Sequence, residues 1–496
     1  MKKIIFLITI AAFLVSCEKF LDVTPKDKAY QKDLLNDISG FQMGLAGVYN
    51  SMNSTSLYGR ELKYGFMETL VGTYNTPNSA HTYYRSFRHE YNLSLAPING
   101  IWSSMYSVIN QVNVMLQDIN EIPNSANKDL VIGELYAIRA FCHFELLKLF
   151  GPVIKEQGLD VAAIPYRDAL TFTGSKFSTA AEVIAKLNKD LNVAKSAFQN
   201  DPIRTTGRTA NGNTQTYEKY NSLVDRRGNR MNYYAVVGLQ SMVSQWEGNL
   251  QKAAEYAEEL ISELSGNNVI RFTTVAELGS SYNKRMPNEN IFAIIDQNFR
   301  SNILNNFSAI GDARATSTSP LLFPNHTWLG TNLYNNSAHG STSDYRYKAG
   351  NWFQGDPAIQ STPFKIVKYH FSETESISNT NSAVLFETKL ISLHQIYMIA
   401  AEYYASSNPT KAVTYLNTVR SARDIITPFI YSSVMTEQVL KNFIFDEVRK
   451  ESIGEGSLFT EYKRLYRAID RATAVQPSLA RFNFPIPINE ETYNPQ

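Results

Sequence analysis

Leu393–Arg423 reads LHQIYMIAAEYYASSNPTKAVTYLNTVRSAR, and the spacing of its small and apolar residues decides the fold class. Asn408-Pro409 interrupts the run: asparagine caps a helix start and proline suits the first helical position, so two helices meet there. Ala400 and Ala412, twelve residues apart, let antiparallel helices approach closely. Met231–Leu264 repeats the design, with its break at Gly248-Asn249 and with Ser241 and Ala253 again twelve apart. Small residues at these offsets occur in tetratricopeptide-type hairpins, whose repeat is about 34 residues; neither hairpin carries the full consensus, and two unrelated helical hairpins are the alternative.

The same helical period extends outward over Asp33–Leu264 and Leu390–Arg471. In Thr179–Phe198, Thr179 and Glu182 have capping-box spacing, and Val183, Leu187, Leu191 and Ala194 fall on one face. In Gly133–Phe150 the face is Leu135, Ile138, Cys142, Leu146 and Leu149, and Gly151-Pro152 ends the helix. Between the two stretches, Gly266–Thr388 is rich in Asn, Ser, Thr and Gly, with aromatics at no regular spacing. Asn290–Asp296 reads there as a buried strand and Phe364–Tyr369 as a second, with long loops elsewhere. Ordered loops of this length usually carry function.

The start of the chain is an export signal. Lys2 and Lys3 precede an apolar run from Ile4 to Val15, too short to cross a membrane as a helix of roughly 20 residues. Leu14-Val15-Ser16-Cys17 resembles a bacterial lipobox, making Cys17 the expected lipid attachment site, and Glu18, Lys19 and Asp22 resemble a surface-export tag. The only other cysteine is Cys142, so the exported fold must rest on its core rather than on disulfides. A chain of 496 residues that is 44% hydrophobic can supply one. Its net charge of +1, with both signs interspersed, gives no footprint for nucleic acid.

With these features in place, the chain resembles the SusD/RagB family of Bacteroidetes outer-membrane nutrient-binding lipoproteins over nearly its whole mature length. Gly133-Glu134-Leu135-Tyr136-Ala137-Ile138-Arg139-Ala140 and Leu149-Phe150-Gly151-Pro152-Val153 resemble the family's arginine-alanine helix and its turn. Trp102, Tyr106, Ile109 and Asn113 resemble the preceding helix. Ala401-Glu402, Ala412 and Leu416–Arg420 resemble its last repeat, and Glu447–Arg464, with Glu451 and Glu455-Gly456, its acidic C-terminal helix and turn. Phe484–Glu490 and Asn494-Pro495 resemble the C-terminal signature. Two departures bear on the ligand rather than the fold: an arginine at Arg423 instead of one residue earlier, and no acidic pair after Glu68.

The resemblance implies a mainly α fold, a superhelix of tetratricopeptide-like hairpins with long irregular insertions and a few short strands. It divides the chain into a signal peptide (1–16), a lipidated tether (17–32), an N-terminal helical part (33–265) and a C-terminal part (266–496) with ligand loops at 266–388. It implies a non-catalytic lipoprotein, anchored in the outer membrane and facing the exterior. Such a subunit captures a glycan, or in some members a peptide, for a SusC-like TonB-dependent transporter.

Sugars present C–H-rich faces and rings of hydroxyls, so a capture site needs flat aromatics beside amides and charged groups. Two loop stretches provide them. Thr73–Arg88 carries Tyr74, Asn75, Asn78, His81, Tyr83, Tyr84 and Arg85, and Asn325–Gln354 carries Trp328, Asn332, Tyr334, Asn335, Asp344, Tyr345, Trp352 and Gln354. The expected ligand contacts are Trp328, Trp352, Tyr334, Tyr345, Asn332, Tyr74, Tyr83, Tyr84 and Asn75, and the alternative for each ring is burial that holds the long loops together. Trp102 and Trp246 sit on periodic helices and belong to the core. No nucleophile elbow, phosphate loop or zinc helix occurs, and no cofactor or metal is implied. Asp344 and Asp356 are nominal carboxylates for a glycosidase, the weakest of the readings.

Overall fold

A computed structural model describes residues 34–75, 78–171, 173–208, 223–279, 284–307, 321–334, 341–355, 364–369, 386–471 and 473–493. The export signal, Cys17, the tether, Asn335 and Asp356 lie outside these residues. The longer elements are α1 (Ile38–Met52), α2 (Leu95–Asp118), α3 (Ala126–Phe150), α4 (Ala180–Ala197), α5 (Tyr233–Glu247) and α6 (Leu250–Asn267). They continue as β1 (Asn290–Ile295), β2 (Glu387–Ser392), α7 (Leu393–Ser407), α8 (Pro409–Ser421), α9 (Glu437–Glu451) and α10 (Leu458–Leu465). The molecule is mainly helical.

Helices pack on their sequence neighbours from α1 through α6, then α6 packs on α7, and α7 on both α8 and α9. That succession is a helical solenoid, each hairpin burying its apolar face on the next. The paired small residues make the close approaches foreseen: Ala253, Ala400 and Ala412 are fully buried, and the Ser241 hydroxyl donates to the Ala253 carbonyl at 2.8 Å. Caps set the boundaries. The Asn408 side chain accepts from Lys411 N at 3.2 Å, and Thr179 and Glu182 form a reciprocal capping box.

Resemblance-derived residues of the N-terminal part tie helices together. Arg139 on α3 forms a two-pronged ion pair with Asp190 on α4 and donates to Asn113 Oδ1 on α2 at 2.9 Å. A planar guanidinium suits such fixed, forked contacts. Trp102 and Trp246 are both core residues, and one contiguous apolar core runs from Leu35 to Phe484.

The middle region has more structure than its composition suggested. β1 pairs antiparallel with β2, whose run from Glu387 through Ser392 moves the start of helix α7 to Leu393, three residues past the expected Leu390. The second strand shrinks to Lys365–Ile366, paired with Phe353–Gln354. Phe299–Asn306 and His326–Leu329 are helical, the latter running into a wider turn at Gly330–Tyr334. Side chains from distant segments supply what local periodicity does not.

Candidate functional site

The two loop stretches singled out by composition are joined edge to edge. Tyr74 and Pro324 form an antiparallel bridge; Asn75 N donates to Phe323 O at 2.9 Å and Asn325 N to Thr73 O at 2.8 Å. His81 adds a second tie. Its Nδ1 accepts from Tyr83 N at 3.1 Å, which leaves Nε2–H to donate to Leu321 O at 3.1 Å, and burial lowers its pKa. Asn325 Oδ1 accepts from Trp328 N at 3.1 Å, fixing the turn that carries the indole.

On this joined surface Asn75 and Asn332 are exposed, and Tyr84 and Trp328 are half-buried. The Arg449 guanidinium, from α9, lies 5.1 Å from the Trp328 ring centroid and stiffens it. Asn332 Nδ2 donates to Trp328 O at 3.0 Å, and among the described residues no partner takes its amide oxygen. Tyr84 has Arg85 and Arg88 each 5.6 Å from its ring centroid. Both arginines are exposed and share Glu90, which their hydrogen bonds hold below the usual carboxylate range.

Five of the expected contacts are interior instead. Trp352 is 1% exposed, with its indole N–H on Lys284 O and the Lys368 ammonium 4.0 Å from its ring. Tyr334 is fully buried and stacks on Tyr347 with centroids 4.5 Å apart. Tyr345 donates to Leu278 O at 2.7 Å, Tyr83 to Glu61 and Tyr74 to Glu68, all from buried rings. The physical reason is common to them. Long loops pack against a scaffold only by burying large side chains, and each phenol or indole takes its own hydrogen-bond partner inside.

Asp344 is likewise a core residue, its carboxylate held two-pronged by the buried Arg346. Arg346 also reaches Glu447 at 2.6 Å and Glu451 at 2.7 Å, and Arg423 pairs with Glu451 and Glu289. These cations pull the Glu447 and Glu451 carboxyls below their usual range despite their burial. The off-pattern Arg423 is thereby explained as a tie between α8, α9 and the segment before β1.

The N-terminal part, residues 19–211, matches the family described as "Starch-binding associating with outer membrane" (SusD-like). A SusD-like protein of Formosa agariphila is 22% identical over 505 residues, covering 94% of this chain and 92% of its own. Among solved structures, a sugar-binding protein of Bacteroides vulgatus, so described provisionally, superposes with a TM-score of 0.70 at 18% identity, covering 93% of this chain and 97% of its own. A SusD superfamily protein of the same organism gives 0.71 at 16% identity, covering 93% and 98%. The N-terminal part thus matches the SusD-like family model, and the fold of the whole chain is similar to that of these solved structures.

Two residues behind the joined loops escaped sequence reasoning: Arg449 beneath Trp328, and Glu68 behind Tyr74. Arg449 sits on an amphipathic helix as an unremarkable charge. The turn Gly454-Glu455-Gly456, which meets Glu68, was visible as a motif, but its partner was not. Among the described residues no helix is long and apolar enough to cross a membrane.

Proposed function

We propose that this SusD-like protein is a non-catalytic glycan-capture lipoprotein of the outer membrane, held through acylated Cys17 and facing the exterior, that delivers oligo- or polysaccharide to a SusC-like TonB-dependent transporter. The observation that carries the binding reading is the joining of the two loops, on which Trp328 and Tyr84 are part-exposed and the amides of Asn75 and Asn332 are exposed. Part-exposed aromatic rings and exposed amides match the two chemistries of a sugar, while the buried Asp344–Arg346 pair leaves that carboxylate committed.

The test is a glycan array on the soluble mature protein, followed by calorimetric titration of the best hit. Trp328→Ala should weaken binding by roughly 1 to 3 kcal/mol, by analogy with bases stacked on aromatic side chains. Trp352→Ala should instead cost about 3 to 5 kcal/mol of folding stability, with its folded fraction binding normally. Hits confined to a peptide panel, or unaltered binding by the Trp328 variant, would overturn this assignment.

Association with a transporter draws support from the loop between α8 and α9. Residues 425–436 contain no Asp, Glu, Lys or Arg, yet Ile426, Ile430 and Val434 are 81%, 76% and 88% exposed. The loop is held in place by Asn417, whose amide bonds the Phe429 backbone in both directions at 2.8 Å, and by Phe429 against Phe443 at 4.2 Å. A fixed, uncharged apolar patch is characteristic of a protein-binding surface. Full-length protein purified from native outer membranes should bring a TonB-dependent barrel with it, and Ile430→Asp with Val434→Asp should lose it. Retention of the barrel by that double variant would remove the loop from the interface.

A further inference from the structure

Behind the joined loops stands a carboxylate that composition gave no reason to notice. Glu68 is 1% exposed, yet three donors converge on it: the Tyr74 hydroxyl at 2.5 Å and Gly454 N at 3.0 Å on Oε2, and Gly456 N at 2.6 Å on Oε1. The two glycines have φ of +74° and +69°, a left-handed conformation, and their alternate amide N–H groups turn toward one carboxyl. At Gly456 a side chain is also excluded, because a Cβ would lie 1.9 Å from Leu62 O. The turn is therefore built to receive a carboxyl group, and its occupant comes from the far side of the molecule in sequence.

From Glu68 an unbroken series of contacts leads to the ligand-facing surface. The carboxyl holds the Tyr74 phenol; the Tyr74 backbone bridges Pro324; Asn75 and Asn325 flank that bridge with their own hydrogen bonds; Asn325 caps the turn of Trp328. We propose that Glu68 is a positioning residue, a protonatable clasp that holds the two ligand loops in register through Tyr74 and so sets the geometry of Trp328 and Asn75. Its role in binding rests on the glycan-capture reading above, whereas the clasp itself is measurable without ligand.

Protonation follows from the surroundings. The titratable groups facing Glu68 are Tyr74 on the loop side, Glu455 on the turn and Tyr369 behind it. Glu455 is balanced by Lys63, Lys368 and Lys389. Burial dominates, and against the three hydrogen bonds it raises the Glu68 pKa from its ordinary 4.5 to about 7. A carboxyl with a raised folded value stabilises its closed state fully below the ordinary pKa and loses that contribution as pH climbs to the raised one. The clasp should accordingly be tightest near pH 4.5 and weakest above pH 7.

Hydrogen exchange on the mature protein tests this directly. After correction for intrinsic exchange, protection of the Asn75 and Asn325 amides should fall by roughly tenfold or more between about pH 5 and pH 7.5. The Ala412 amide, bonded to Asn408 O in the distant α8 cap, should hold steady. Tyr74→Phe keeps the ring in the core and removes the link, so it should lower protection at both loop amides and flatten their pH profile. Glu68→Gln, where it folds, should flatten it too. A pH-independent wild type, a Tyr74→Phe profile like wild type, or a fall shared equally by Ala412 would each overturn the clasp. Glycan affinity should track the loop protection. An expected exchange profile in a protein that binds no glycan would sink the capture reading and leave the clasp standing.

Discussion

The α5–α6 hairpin and the middle region are both well packed, but they are held by contacts of very different reach. In the hairpin, Ser241 bonds a carbonyl twelve residues away. In the middle region, Arg346 meets Glu451 across 105 residues, and Arg423 meets Glu289 across 134. Contacts of short reach leave a period in the sequence, and contacts of long reach leave only a residue type at an unexplained place. The same contrast separates what each contact contributes to stability.

The largest effect should come from the contacts of long reach. Arg423 is fully buried between Glu289 and Glu451, whose carboxylates would stay behind if it were removed. Breaking a buried pair from one side typically costs about 3 to 5 kcal/mol, because an uncompensated charge is left in the interior. Arg423→Met should therefore shift the urea midpoint strongly downward. A variant as stable as wild type would erase the distinction between the two regions, placing the stability of the middle region in its aromatics alone.

How much could be read from the sequence follows from this distinction. The Asn408-Pro409 and Gly248-Asn249 breaks, the alanine offsets and the Thr179 box located helix ends because each is satisfied by its own neighbours. β2 was missed as a strand because Leu390–Ser392 abuts a helix without a turn residue between them. At the candidate site both loops stand out by composition, yet nothing local shows that they are joined or distinguishes Trp328 from Trp352. Both lie in polar loop sequence. Trp352 is buried because Lys284 O and Lys368 reach it, the latter sixteen residues along but on the far side of a strand pair. Aromatic residues in long loops serve first to hold those loops, and only the remainder is left for a ligand.

The smallest effect should come from the most legible signal. Thr179 Oγ1 accepts from Glu182 N at 3.2 Å while Glu182 Oε2 accepts from Thr179 N at 2.9 Å. Both bonds are exposed, so water can replace them when they are lost. Thr179→Ala should cost only about 1 kcal/mol, the ordinary value for an N-cap. It should leave glycan titration unchanged, since α4 touches neither of the two joined loops among the stronger contacts of the fold. A loss as large as that of Arg423→Met would mean that α4 is nucleated by its cap rather than held by its packing on α3. Here packing should dominate: Val183, Leu187, Leu191 and Ala194 are all fully buried, and Asp190 is locked to Arg139, contacts that the alanine variant leaves untouched. The cap then marks where the helix begins, while the buried face and the ion pair decide that it forms.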